Sequence, residues 1–189
     1  MRTFLVSLAS LALIAVLGGA IVIYLGLFNV AATDHHAAPV YWLMEQARVR
    51  SIKVRAAGIT PPAGLDDPRN VVIGTEHFAA HCAVCHGAPG VPKGDIAMGL
   101  YPAPPNLAES ATRYDSSELF WIVKNGIKMT GMPAWSDHGD DELWAVVVFI
   151  KKLPSMSEQD YAKLVVESMV SGGHHHHGGD QQAEPPAKQ

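Results

Sequence analysis

The residues with the clearest chemical potential stand together in the run His81-Cys82-Ala83-Val84-Cys85-His86-Gly87. Two thiols three positions apart fall on one side of a helical turn. Cys-x-x-Cys-His is the pattern for covalent haem attachment. Each thiol adds across one haem vinyl group, and the adjacent imidazole of His86 reaches the iron from the proximal face. A bare Cys-x-x-Cys also serves as a dithiol redox pair or as half of a zinc site. The redox pair calls for a βαβ pattern around it, which the sequence lacks. Zinc calls for further ligands at regular spacing. Cys82 and Cys85 are the only cysteines, so a multi-disulfide scaffold and a four-thiolate zinc site are excluded. Covalent haem uses both thiols and leaves none over.

The downstream chain offers a partner for such a haem. Gly126-Ile127-Lys128-Met129-Thr130-Gly131-Met132-Pro133-Ala134-Trp135 puts a thioether in a Gly/Pro-rich loop some 46 residues after His86. A methionine more often fills a core. The Gly-Met-Pro setting, on a loop and not on an apolar helix face, marks Met132 as the expected sixth iron ligand, with Met129 as the decoy one turn earlier. His77, His81 and His138 read as surface or packing residues.

Helices must position these groups. Val71 to Cys85 is expected as one helix, with Gly74 and Phe78 on its packing face. Asp115 and Glu118, three apart, read as a capping pair ahead of Leu119, Phe120, Ile122 and Val123, and Gly126 ends that helix. Asp140 to Leu153 forms the last, with Leu143, Trp144, Val147, Phe149 and Ile150 facing inward. Asp140, Asp141 and Glu142 on its first turn and Lys151 and Lys152 on its last suit the helix dipole, and Pro154 stops it.

With these residues in view, 71 to 154 resemble a class I (monohaem) cytochrome c domain, a little under half of the chain. The resemblance implies an all-α fold of three to five helices around one covalently bound haem c. It also implies that the first and last helices cross closely at a small residue, here Gly74 against the stretch from Trp144 to Phe149. Tyr101-Pro102-Ala103-Pro104-Pro105-Asn106-Leu107 is similar to the family's proline loop, in which a carbonyl accepts the proton of the proximal imidazole and orients its ring. The match points to Pro105. Pro102 and Pro104 read equally well as chain stiffening.

His/Met ligation would leave the iron no open position for substrate, and a thioether in an apolar pocket favours the ferrous form. The expectation is therefore one-electron transfer between redox proteins, not enzymatic catalysis. Two alternatives stand beside it. One is a haem subunit fixed in a larger membrane oxidoreductase. The other is an open-site haem enzyme or gas sensor, should Met132 not bind.

The rest of the chain divides by composition. Residues 3 to 33 carry no charged side chain, and Thr3 to Phe28 would span about 39 Å as a helix, enough for a ~30 Å hydrocarbon core. Residues 1–33 thus read as an uncleaved anchor, the run being longer than a signal h-region, although Val30-Ala31-Ala32 offers a cleavage site. Residues 34–70 read as a connector whose helix, Val40 to Ala56, either packs where it can or lies in a membrane interface through Tyr41, Trp42 and its basic second half. Thr60 to Pro68 marks the boundary to the domain. Residues 155–189 read as a flexible His/Gly-rich tail, with His174 to His177 a metal-chelating run or a neutral linker. Arg48, Arg50, Lys53 and Arg55 would draw the C-terminal side into the cytoplasm by charge alone. They begin about 20 residues beyond the span, at the limit of that rule. Haem c is attached outside the cytoplasmic membrane in bacteria, as the resemblance implies, so the haem domain is expected in the periplasm, at the inner membrane. Residues 71 to 154 hold 6 Lys and Arg against 9 Asp and Glu, a balance of −3 that excludes a basic nucleic-acid footprint.

Overall fold

The structure, a computed structural model, describes residues 1–172, and among them every regular element is helical apart from a single bridge between Ala88 and Val91. Met1–Ala38 form one compact unit and the chain from Pro39 onward forms a second. The first unit holds α1, Arg2–Tyr24, an apolar and wholly exposed helix long enough to cross a membrane.

The second unit starts at Pro39, the second residue of α2, Ala38–Ala56. Its two ends behave differently. Val40, Tyr41, Trp42, Leu43 and Met44 stay exposed, whereas Ile52 and Ala56 are buried. Arg48 donates to the Tyr114 hydroxyl at 3.1 Å while pairing with Glu45 at 2.6 Å, and Arg113 reaches the same carboxylate at 3.1 Å. The Ser117 hydroxyl donates to the Ile59 carbonyl at 2.8 Å. The basic half of α2 is therefore part of the folded unit, and no boundary falls between residues 60 and 68. The physical reason is that Ile52 and Ala56 share one helix face, which the pattern of basic residues around them hides.

Next comes α3, Pro68–His77, with Pro68 in its first turn and the Asp67 side chain accepting from the Arg69 amide. The helix expected to run from Val71 to Cys85 is not uniform. A π-helical turn, Phe78–Cys82, separates α3 from the short α4, Ala83–His86. Then follow α5, Asp95–Met98, α6, Leu107–Arg113, and α7, Ser116–Asn125. The start of α7 is the expected capping box: the Asp115 carboxylate accepts from the Glu118 amide at 2.8 Å and Glu118 accepts from the Asp115 amide at 3.0 Å.

Helix α8, Asp140–Lys152, crosses α3 and forms the centre of the core. The crossing point is Gly74, where any Cβ would run into the Ala145 carbonyl and the Phe149 Cβ. Phe78 and Phe149 are fully buried with ring centroids 4.7 Å apart, and Phe120 stacks on Trp144 at 4.2 Å. The side chains expected to face inward from α8 all do so, and Ala145 and Val146 join them. After a 3₁₀ turn, Leu153–Ser155, the chain forms α9, Glu158–Gly172, which packs on α3. Tyr161 is buried with its ring 6.1 Å from that of Phe149, and Ser168 is buried as well. The expectation of a tail from residue 155 is thus corrected, because Tyr161, Leu164, Val165 and Ser168 repeat at helical spacing and cover the core. His174 to His177 lie outside the described residues.

Candidate functional site

The wide π turn carries Cys82, and α4 carries Cys85 and His86. Single π turns inside helices recur at functional sites, because the extra residue re-aims the side chains that follow. Cys82 is buried and Cys85 half-buried. Burial, with a smaller contribution from Cys85, pushes the Cys82 thiol up to about 12. At the end of α4, Gly87 adopts a positive φ of 71° and its amide donates to the Ala83 carbonyl at 2.8 Å. The Gly94 amide donates to the Val84 carbonyl at 2.9 Å, folding the next loop back onto the motif.

His86 and Pro105, 19 residues apart, are in direct contact: His86 Nδ1–H donates to the Pro105 carbonyl at 2.9 Å. A carbonyl only accepts, so this bond fixes the tautomer and leaves the lone pair on Nε2. Burial holds the imidazole below the usual histidine range, opposed by the bond to Pro105 and reinforced by the nearby Lys93 charge. Lys93 itself donates to the Pro104 carbonyl. Two successive carbonyls of the proline loop are therefore engaged, Pro104 by Lys93 and Pro105 by His86, of which the sequence pointed to Pro105 alone. Lys93 gave no signal beyond its charge.

Met132 lies on a loop held to the end of α7. The Ile127 amide donates to the Met132 carbonyl at 3.2 Å, the Met132 amide to the Thr130 hydroxyl at 3.1 Å, and the Trp135 amide to the Lys124 carbonyl at 3.2 Å. Gly126 begins the loop at φ 63°, where a Cβ would meet Pro133 backbone atoms at 2.6 Å. The two methionines are treated differently. Met129 sits at φ 61° with 81 % of its surface exposed, while Met132 is half-buried. Of the two lysines near this loop, Lys124 is paired with Asp140 at 2.6 Å.

A second constellation was read as three separate histidines in the sequence. His77, His81 and His138 offer ligand atoms that all lie within 4.8 Å of one another. The Trp135 ring lies 5.7, 5.0 and 5.3 Å from the rings of His77, His81 and His138. His77 and His81 stand four apart along the helical run, the one sequence signal for the group. His138 arrives through the turn before α8.

These donors suit a covalently attached haem. Two thiols sit on adjacent turns, one inside the apolar core, beside an imidazole whose tautomer presents Nε2. The all-helical second unit and this donor set define a cytochrome c domain, with covalently bound c-type haem as its cofactor. Residues 69–150 match the family model described as cytochrome C oxidase, cbb3-type, subunit III, placing this part of the chain in the cytochrome c family. In sequence, a monohaem cytochrome c domain follows one apolar N-terminal helix, and such a domain supports haem-based electron transfer.

Proposed function

We propose that the protein is a membrane-anchored one-electron carrier whose haem is held through thioethers to Cys82 and Cys85. His86 and Met132 would hold its iron, and the Pro105 carbonyl would orient the His86 imidazole. The observation that carries this reading is the 2.9 Å bond from His86 Nδ1–H to Pro105. An oxygen that accepts from the far ring nitrogen holds a ligating imidazole in one orientation and raises its basicity. The half-buried setting of Met132, against the exposed Met129, favours Met132 for the opposite face. When bound, the haem supplies a reversible ferric/ferrous couple, and the residues around it set ligation, burial and docking.

Residues 1–33 serve as the anchor in this reading and the unit beyond it stands on the periplasmic face of the inner membrane, passing electrons between protein partners in a respiratory or dehydrogenase-linked chain. Covalent haem attachment supports that side, and the basic residues of α2 argue little against it, since they begin about 20 residues beyond the span and Arg48 is committed to the folded unit.

The test is the optical spectrum of the purified protein. A sharp reduced α-band of thioether-linked haem, with the weak far-red thioether-to-iron band in the oxidised form, is expected. A high-spin spectrum with rapid carbon monoxide binding would overturn Met132 ligation and favour an open-site haem.

The family match favours a second reading, a subunit fixed in a larger membrane oxidoreductase. Stable co-purification with other subunits after mild detergent extraction would establish it; a lone chain would return the shuttle.

A further inference from the structure

We propose that His77, His81 and His138 form a second metal site, separate from the haem iron, which binds one zinc or copper ion. Four observations carry it. The three imidazoles come from two distant parts of the chain, yet their ligand atoms fall within 4.8 Å of one another. The His77 side chain is only 3 % exposed, and its Nε2 is buried without a hydrogen-bond partner. A buried polar nitrogen left unmatched is rare enough in folded proteins to ask for a missing partner.

The tautomer of His77 is also settled. Its Nδ1 lies 2.7 Å from the Glu142 carboxylate, which only accepts, so Nδ1–H donates and Nε2 carries a bare lone pair. Carboxylate, imidazole and metal in line is the common outer-shell arrangement of histidine metal sites. His138 repeats it more loosely, with Nδ1 3.3 Å from Asp137.

The fit is close. Metal–nitrogen bonds of ~2.0–2.1 Å place tetrahedral ligands about 3.4 Å apart, so the spread must shrink by ~1.4 Å. His77 is fixed, but His81 is exposed and His138 half-buried, and small side-chain rotations bring them in. Three neutral imidazoles select zinc, copper or nickel over magnesium and calcium, and copper binds more tightly than zinc in such a set. Trp135 walls one side of the cluster.

The test uses the full, haem-loaded chain with His174 to His177 replaced by Gln, which removes the other histidine run. Equilibrium dialysis against Zn²⁺ with metal and haem quantified should give one Zn²⁺ per haem. Adding His138→Gln should abolish that equivalent with the haem spectrum unchanged, and Glu142→Gln should weaken it about 10–100-fold. Cu²⁺ bound to the same chain should show three imidazole nitrogens by electron paramagnetic resonance, a readout that survives if a variant fails to fold. No stoichiometric Zn²⁺, binding indifferent to both His138→Gln and His81→Gln, or fewer than three nitrogens on copper would sink the proposal.

Discussion

At the residue scale, two histidines show the same device used twice. His86 and His77 each give Nδ1–H to an oxygen and keep Nε2 for something else. The two methionines of the 126–135 loop differ in burial, which makes a sharp pair of variants. Met132→Ala should remove the far-red band, open the iron to carbon monoxide and lower the midpoint potential, since thioether ligation favours ferrous iron. Met129→Ala, at an 81 % exposed position, should leave all three unchanged. His77 also sets a pH response. Burial depresses its folded-state value, offset by Glu142 and deepened by His81 and His138. Below the unfolded value of ~6.5 the unfolded chain takes up a proton that the folded chain refuses, so stability present at higher pH is lost as pH falls. Urea titrations from pH 8 to pH 5 with chelator present should show that loss. His77→Gln should flatten it by up to one proton's slope. The haem motif was legible in the sequence because it depends on local spacing. The histidine cluster was not, because only packing brings His138 to His77.

At the element scale, the α3–α8 crossing decides whether the unit forms. Gly74 has no room for a methyl group, the obstruction being the backbone carbonyl of Ala145 and not a side chain that can turn away. Gly74→Ala should therefore destabilise by at least the ~1–3 kcal/mol of ordinary overpacking, despite alanine's better helix propensity. Chemical denaturation of the haem-loaded variant measures it. The α7 capping box was readable in advance, since aspartate and glutamate three apart ahead of an apolar run have few other uses, whereas the crossing at Gly74 followed from the resemblance to cytochrome c domains. Helix α9 was not readable. A His/Gly run follows it directly, so composition masked the stripe through Tyr161 and Ser168. Ending the chain after Met156 should uncover Phe149 and Leu153, lowering the thermal midpoint and broadening the transition.

At the scale of the whole molecule, the second unit has its own core, which runs from Ile52 on α2 to Tyr161 on α9. The ion pairs of Arg48 and Arg113 with Glu45 and the bond from Ser117 to Ile59 bind residues 45–59 into it, so a division of labour at residue 60 would cut through packed structure. The dispensable part lies earlier. Helix α1 buries none of its residues, and its apolar surface has the length to meet a hydrocarbon core. A chain starting at Pro39, fused to a cleavable export signal, should fold, load haem and partition into the soluble fraction with the full-length spectrum and midpoint potential. A chain starting at Asp67 retains every proposed haem ligand but loses Ile52, Ala56 and Ile59 from the core. It should load haem poorly or unfold at a lower denaturant concentration. Comparing the two chains by membrane fractionation and urea midpoint separates anchoring from folding. Equal stability of both would mean that α2 is a spacer after all, and retention of the Pro39 chain on membranes would assign membrane contact to Tyr41, Trp42 and their exposed neighbours.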